Sequence, residues 1–197
     1  MFRDPITIDD VLSSRVIAHP LHLLECCIVS DGGGAVVVVS PELARSIKKK
    51  PVWVLGEGED YAHLANGKRD WVTTGAAQSG KTAFAHAGIT QKDIDHAMIY
   101  DSFTITVCIT LESLGFCGKG EGGTFVQNGR IGLGGELPIN TDGGGLSSNH
   151  PGMRGIFLVI EAAKQLRGEC GERQVQSKRH PTQHAKTAIV NGTGGML

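Results

Sequence analysis

The sequence has neither a long apolar run nor an excess of charge of one sign. Residues 35–39 form an apolar run that is far too short for a membrane span, since a helix needs about 20 apolar residues to cross a bilayer. The formal net charge of the 197 residues is −1, and the basic residues are scattered apart from a run of three lysines at residues 48–50. We therefore expect no membrane span and no nucleic-acid partner.

Cysteine is scarce and has no metal-binding spacing. The chain contains 5 cysteines, an odd number, and none is paired with another at the Cys-x-x-Cys spacing of zinc sites. Cys26 and Cys27 are adjacent, which rarely suits a disulfide between them. Reduced thiols are typical of the cytosol. The sequence therefore predicts a cytoplasmic protein without a metal site.

Glycine, by contrast, is abundant and clustered. The 28 glycines concentrate between apolar segments, in the ranges 32–34, 118–123, 132–135, 143–145 and 192–195. Glycine is used where the backbone takes a positive φ or approaches a ligand closely. The clusters indicate loops around a site.

Predicted strands and helices alternate along the chain, which indicates an α/β fold with a parallel or mixed sheet. Thr7 is the predicted N-cap of a short first helix, and Ser40 and Pro41 open a later one. Gly88 is predicted to end the helix that precedes it. The predicted strands are 35–39, 52–55, 97–100 and 188–190. The predicted longer helices are 40–50, 73–87, 103–114 and 150–166.

Residues 75–82 fit the pattern of a phosphate-binding P-loop, Gly-x-x-x-x-Gly-Lys-Thr. A P-loop follows a buried strand, whereas polar residues 68–74 precede this one. The alanines within 76–87 favour a continuous helix instead. A nucleotide-binding protein remains an alternative at this point, with a plain helix as the favoured interpretation.

Three polar or glycine-rich turns are candidates for one common pocket. His150 precedes a predicted helix with Pro151 in its first position, although Asn149 or His150 alternatively only caps that helix. Residues 100–103 (Tyr-Asp-Ser-Phe) and 191–195 (Asn-Gly-Thr-Gly-Gly) each follow a predicted strand. Open α/β sheets place their sites at such strand ends.

These motifs, with the Ser-Asp-Gly-Gly-Gly run at 30–34, occur in the order seen in the C-terminal half of thiolases. The sequence resembles the sterol-carrier-protein-X and lipid-transfer branch of that family over almost its whole length. The resemblance implies a thiolase-like fold, with a C-terminal βαβαβ-type half and a mixed five-stranded sheet covered by helices. Residues 1–30 would then be the tail of a preceding half. Residues 31–197 would form the C-terminal domain, truncated before its last strand.

The resemblance also implies roles for individual residues. His150 matches the histidine that activates the nucleophilic cysteine and helps to bind the thioester oxygen. Tyr100 matches the Asn or His of the oxyanion site, and Asn191 matches the second cysteine, which is the base in thiolases. Substrate-binding positions by the same comparison are Asp101, Ser102, Phe103, Asn149, Gly192, Gly194 and Gly195.

An amide side chain is no general base near neutral pH, so Asn191 argues against Claisen-type bond formation. Tyr100 as a hydrogen-bond donor or acid fits retro-aldol cleavage better. The expected function is the handling of acyl-coenzyme-A thioesters, by acyl transfer or carbon–carbon cleavage, with coenzyme A as part of the substrate and no other cofactor.

None of the five cysteines lies in the family's nucleophile motif, which belongs to the N-terminal half of the family. The resemblance therefore implies a thiolase-like acyltransferase that is inactive as this chain alone, because the half with the nucleophile is absent. Cys117 is the one cysteine in a predicted loop near the site, and a structural role is favoured for it. The expected partners are the acyl-coenzyme-A thioester and either a second copy of the chain or the N-terminal thiolase half. The main alternative is a non-catalytic subunit that binds acyl-coenzyme A or lipid, or serves as a scaffold.

Overall fold

The computed structural model of the chain describes residues 3–61 and 70–194. Within them the helices are α1 Ile8–Ser13, α2 Pro41–Ser46, α3 Ala76–Ala87, α4 Thr104–Ser113, α5 Gly122–Phe125 and α6 Gly155–Arg167. The strands are β1 Val16–Ala18, β2 Leu21–His22, β3 His96–Ile99 and β4 Ala188–Asn191. Short 3-10 or π turns cover Leu23–Glu25, Gln91–Asp93, Gly144–Ser148 and Gly171–Arg173.

The helix ends follow the local sequence signals. Thr7 caps α1 through a reciprocal pair of hydrogen bonds with Asp10. The hydroxyl of Ser40 accepts a hydrogen bond from the backbone of the first turn of α2, in which Pro41 occupies the first position. Gly88 ends α3 at φ +67°, a left-handed conformation that favours glycine. These three predictions are confirmed.

A parallel pair of strands, β3 and β4, forms the centre of the fold. Their register pairs His96 with Ala188 and Ile99 with Asn191. All four residues of β3 are buried, as expected for a strand covered by helices on both faces. Beyond the last rung, the amide of Tyr100 still donates to the carbonyl of Asn191 at 3.0 Å.

The two faces of β3 carry separate apolar clusters. Ala97 and Ile99 pack with α3 and α4, and the buried residues of that cluster are Ala76, Ile94, Ala97, Ile99, Val107, Leu111, Leu114 and Leu137. Met98 and Tyr100 face α6 and pack against Leu158 and Ala162. Side chains of a strand alternate between faces, so these two layers follow from the register of β3.

Residues 138–140 extend the sheet beside β3. The amide of Ala97 donates to the carbonyl of Pro138 at 3.1 Å, and the amide of Asn140 donates to the carbonyl of Ala97 at 3.1 Å. The side chain of Asn140 continues the pairing, because its amide group bonds both the N–H and the C=O of Ile99, at 2.9 and 2.8 Å. This contact fixes the start of the glycine-rich loop that follows.

Two strand predictions are wrong. Residues 35–39 and 52–55 have no strand in the structure. Val37 and Val38 are 86% and 90% exposed, although their β-branched run predicted a buried strand. A strand needs a hydrogen-bonded neighbouring strand, and no such partner pairs with these residues in the described structure. The residues just before them pass close to α6, where a side chain at Gly34 would overlap Ile160.

Other expected features also differ. The mixed five-stranded sheet is not confirmed, since the described residues contain the parallel pair β3–β4 and a separate antiparallel pair β1–β2. Helix α2 ends at Ser46 instead of reaching residue 50. The helix predicted from residue 150 begins at Gly155. The reason for that late start lies in the site described below.

None of the helices in the described ranges is long and apolar enough to cross a bilayer.

The core contact between α4 and the sheet should dominate stability. Leu111 is fully buried in that contact, so we expect Leu111→Ala to lower the free energy of unfolding by about 2–5 kcal/mol, through lost burial and the cavity left behind. The matched control is Ile105→Ala on the same helix, where the side chain is exposed and the loss should stay below about 1 kcal/mol. Urea denaturation followed by circular dichroism measures both values, and equal losses would contradict the packing described.

Candidate functional site

The candidate site lies where β3 ends, between the residues that follow the strand and the loop that leads to α6. Tyr100 and Asp101 directly follow β3, and both are buried. The loop of residues 140–154 passes over them and carries His150. Active sites of open α/β folds occur at this end of their strands.

Asp101 holds the loop in place. Its carboxylate accepts hydrogen bonds from the amide of Gly145 at 2.8 and 2.9 Å and from the amide of Leu146 at 3.3 Å. Burial raises the pKa of Asp101, against the opposing effects of the Gly145 amide and of Arg154. Gly144 has φ +68°, and any side chain there would overlap the carboxylate. The glycine cluster therefore allows the backbone of the loop to lie against Asp101.

Arg154 is the counter-charge, and the sequence analysis missed it. Its side chain is 0% exposed. One end of its guanidinium binds both oxygens of Asp142 at 2.6 and 2.7 Å. The Oδ1 of Asp101 lies 3.4 Å from its Nε. The available signal was slight: Asp101 lies in a predicted pocket and Asp142 in the glycine-rich loop before His150, and buried carboxylates need a cation.

Tyr100 and His150 lie in contact, as the sequence analysis expected for site residues. Their rings meet edge to face, with centroids 5.4 Å apart and an interplanar angle of 89°. The Tyr100 hydroxyl accepts a hydrogen bond from the main-chain N–H of Arg154 at 3.2 Å. Among the described residues, the buried Nε2 of His150 has no hydrogen-bond partner. An unpaired buried nitrogen of this kind is suited to bind a polar ligand atom.

Neither Asn149 nor His150 caps the helix. Arg154 occupies the N-cap position of α6 and makes no side-chain capping bond. Its main-chain N–H is used by Tyr100, and its side chain by the carboxylates. The capping alternative for His150 is therefore wrong, and the helix begins later than predicted because the preceding residues build the site.

A segment near the N-terminus forms one wall of the site, which the sequence analysis did not foresee. The amide of Cys27 donates to the carbonyl of Ser102, and the amide of Ile28 donates to the carbonyl of Gly145, both at 2.9 Å. The hydroxyl of Ser30 accepts a hydrogen bond from the amide of His150, also at 2.9 Å. Burial, together with Cys26 and Asp101, raises the pKa of the Cys27 thiol. These contacts join residues that are far apart in the sequence, up to 120 positions for Ser30 and His150, and leave no local pattern.

Asn191 lies at the same end of the sheet as Tyr100, but its side chain points to the other face. It is the ladder partner of Ile99, and paired residues point to the same face, so its side chain starts on the α4 side of the sheet. Tyr100, the next residue along β3, faces α6. The Oδ1 of Asn191 is buried without a partner among the described residues. The structure thus joins Tyr100 and His150, and places Asn191 on the opposite face.

The remaining predicted binding positions are mostly occupied by contacts within the protein. Ser102 lies 3.5 Å from the hydroxyl of Thr106, and Phe103 forms a bridge with Cys26. The side chain of Asn149 is bound to Arg154. Gly192 and Gly194 follow β4 and are exposed, while Gly195 lies outside the described residues.

A buried polar cluster of His96, Thr141, Glu161 and Arg173 holds the start of the loop. The hydroxyl of Thr141 lies 3.2 Å from Nε2 of His96 and donates to Glu161 at 2.7 Å. Burial lowers the pKa of His96 to about 4, so the imidazole is neutral at neutral pH. Burial alone would raise the pKa of Glu161, but hydrogen bonds from Thr141 and Arg173 lower it below the usual value.

The P-loop-like segment at residues 75–82 forms the first turns of α3. Gly80 is buried within the helix, and a side chain there would contact Leu114 of the neighbouring helix end. Lys81 is exposed. The helix interpretation is confirmed, and residues 70–75, the described residues directly before the helix, contain no strand.

Comparison with known proteins identifies relatives over nearly the whole chain. Residues 56–197 match the family model described as "Thiolase C-terminal domain-like". The chain is 38% identical to the "Steroid side-chain-cleaving aldolase" of Thermomonospora curvata, over 98% of this chain and 49% of that protein. It is 35% identical to the "Acetyl-CoA acetyltransferase" of Methanothermobacter thermautotrophicus, over 96% of this chain and 49% of that protein.

A solved structure, "Ltp2-ChsH2(DUF35) aldolase", superposes with a TM-score of 0.82 at 35% identity. The match covers 96% of this chain and 48% of that one. The chain thus spans about half the length of the curated relatives it matches.

The buried His96 predicts a pH dependence of stability. Its pKa lies below the unfolded value of 6.5, at about 4, so the unfolded state binds more protons between these values and stability falls as pH decreases through that window. Between about pH 7 and about pH 4.5 this residue should remove roughly 2–3 kcal/mol.

We expect His96→Gln to lose correspondingly less stability on acidification than the unsubstituted chain, as measured by urea denaturation at both pH values. The control is His86→Gln, an exposed histidine on α3, which should leave the pH dependence unchanged. Parallel pH profiles for His96→Gln and the unsubstituted chain would contradict the role given to His96.

Proposed function

This chain belongs to the thiolase C-terminal domain-like family, and we propose that it forms one half of a protein that acts on acyl-coenzyme-A thioesters. The observation that carries the proposal is the contact between Tyr100 and His150 at the end of β3, with the Nε2 of His150 buried and unpaired among the described residues. In this position the imidazole is free to bond the oxygen of a thioester.

The reaction we favour is carbon–carbon cleavage of a β-hydroxyacyl thioester. Asn191 carries an amide, which is no base near neutral pH, and its side chain starts on the other face of the sheet. Tyr100, by contrast, lies against His150. The names of two relatives, a steroid side-chain-cleaving aldolase and an aldolase complex, support cleavage over acyl transfer.

In such a cleavage a base from the remainder of the site takes the proton of the substrate hydroxyl. The Cα–Cβ bond then breaks to give a carbonyl product and a thioester enolate, and the enolate is protonated at Cα. The proton held by the base finally restores the group that protonated Cα. We assign His150 to the thioester oxygen, where a hydrogen bond stabilises the charge of the enolate. The Tyr100 oxygen already accepts a hydrogen bond from Arg154, which leaves its own proton free for donation to Cα.

The site would be completed by groups from outside these 197 residues. Because the chain covers about half of its relatives, we propose that the equivalent of their other half, or a second copy of this chain, supplies the missing groups. Coenzyme A enters as part of the substrate, and the proposal requires no further cofactor. All five cysteines lie in the described residues and are free thiols, which supports a reducing, cytoplasmic setting.

Calorimetric titration of the chain with a 3-hydroxyacyl-coenzyme A tests the proposal. We expect binding that is weakened about tenfold or more in His150→Ala, since the ligand then loses a buried hydrogen-bond partner. The matched control is His86→Ala, which removes an exposed histidine from α3 and should leave the affinity unchanged.

Different outcomes separate the alternatives. Binding without release of cleavage products, measured with the other half of the site also present, would favour a non-catalytic acyl-coenzyme-A-binding subunit. Absence of acyl-coenzyme-A binding, together with ATP binding that disappears in Lys81→Ala, would contradict the proposal and restore a nucleotide-binding function.

A further inference from the structure

We propose that Arg154 is the positioning residue of the site, which sets the orientation of both His150 and Tyr100. The ligand of His150 and Tyr100 rests on the function proposed above. Their positioning by Arg154 rests only on the contacts within the protein. Arg154 is the only fully buried arginine in the described part of the chain. Its contacts reach the two candidate site residues by separate routes.

The first route runs through the peptide bond between Asn149 and His150. The carbonyl oxygen of Asn149 accepts a hydrogen bond from Nη1 of Arg154 at 3.2 Å. On the other side of the same peptide, the amide of His150 donates to the hydroxyl of Ser30 at 2.9 Å. A peptide unit is planar, so holding both of its polar ends fixes the direction in which the His150 side chain leaves the backbone.

The second route reaches the Tyr100 hydroxyl. The main-chain N–H of Arg154 donates to it at 3.2 Å, which uses one acceptor position of the oxygen. The phenol proton is thereby directed away from the main chain of Arg154. The same residue thus acts on Tyr100 through its backbone and on His150 through its side chain.

The shape of the guanidinium makes both carboxylate and amide contacts possible at once. Its Nη2 binds Asp142 with two short contacts, while Nη1 binds Oδ1 of Asn149 at 2.8 Å. A lysine ammonium is a single point charge and lacks this planar fork. Arg154→Lys therefore keeps the charge between Asp101 and Asp142 but loses the simultaneous contact with Asn149.

A structural role alone accounts poorly for this arrangement. Buried ion pairs are often no more stabilising than apolar residues of similar size, because the charges lose their hydration. A buried arginine with two carboxylates is better explained by the geometry that it imposes on Asn149, His150 and Tyr100.

The test is nuclear magnetic resonance of the chain with labelled histidine and tyrosine side chains, in the absence of ligand. In the unsubstituted chain we expect nuclear Overhauser contacts between the rings of Tyr100 and His150. These contacts should disappear or weaken strongly in Arg154→Lys. The matched control is Arg173→Lys, since Arg173 also pairs with a buried carboxylate, that of Glu161, but has no contact with Asn149 or Tyr100.

A second variant tests the proposal independently, in case Arg154→Lys does not fold. Asp142→Asn leaves Arg154 paired with Asp101 and should weaken the ring contacts to an intermediate degree. Circular dichroism confirms that each variant is folded. In titrations with a 3-hydroxyacyl-coenzyme A, Arg154→Lys should weaken binding by about tenfold, the size of one lost charge-assisted hydrogen bond, and Arg173→Lys should not.

Unchanged ring contacts in folded Arg154→Lys would overturn the proposal, as would an equal loss in Arg173→Lys, which would indicate a general loss of stability. The ring contacts are measured without ligand. If the unsubstituted chain fails to bind acyl-coenzyme A, the proposed function fails while the role of Arg154 is still decided by the ring contacts.

Discussion

The guanidinium of Arg154, enclosed between Asp101 and Asp142, is the interaction on which the site depends. A buried charge is tolerated only when paired and hydrogen-bonded, and this one is paired with two carboxylates. Asp101 follows β3, Asp142 opens the glycine-rich loop, and Arg154 precedes α6. The ion cluster therefore ties three chain segments together at one end of the sheet, and His150 and Tyr100 are held beside it.

Three consecutive residues, 140–142, attach the start of the loop to the rest of the fold. Asn140 pairs with the edge of β3, Thr141 enters the polar cluster of His96 and Glu161, and Asp142 binds Arg154. Three successive residues thus attach the start of the loop to β3, to α6 and to the residue that precedes α6. The glycines that follow allow the backbone to lie against Asp101, since a side chain at Gly144 would overlap its carboxylate. The glycine cluster is explained by this approach of backbone to carboxylate.

The sequence predicted what depends on local signals. Thr7, Ser40 and Gly88 mark helix ends, and the structure confirms all three. The proximity of Tyr100 and His150 was also predictable, because one follows a strand and the other lies in a loop leading to a helix. Local propensity misled where pairing decides the outcome: residues 35–39 have strand composition, but without a ladder partner they form no strand.

Long-range contacts left no signal. The bond between Ser30 and His150 joins residues 120 positions apart. The role of Arg154 was equally hard to predict, since its partners Asp101 and Asn149 come together only after the loop has folded over β3. In a single sequence it is an isolated arginine among apolar residues. Only the acidic residues around the predicted pocket indicated that a buried cation was needed.

The most direct test of this account is a crystal structure of the chain with an acyl-coenzyme A that lacks the β-hydroxyl group. This ligand retains the thioester oxygen but cannot undergo the proposed Cα–Cβ cleavage. The account predicts the acyl oxygen within about 3 Å of Nε2 of His150, with the acyl chain beside Tyr100. A ligand bound elsewhere, or a His150 nitrogen still unpaired with the ligand present, would contradict the assignment of this strand end as the thioester site.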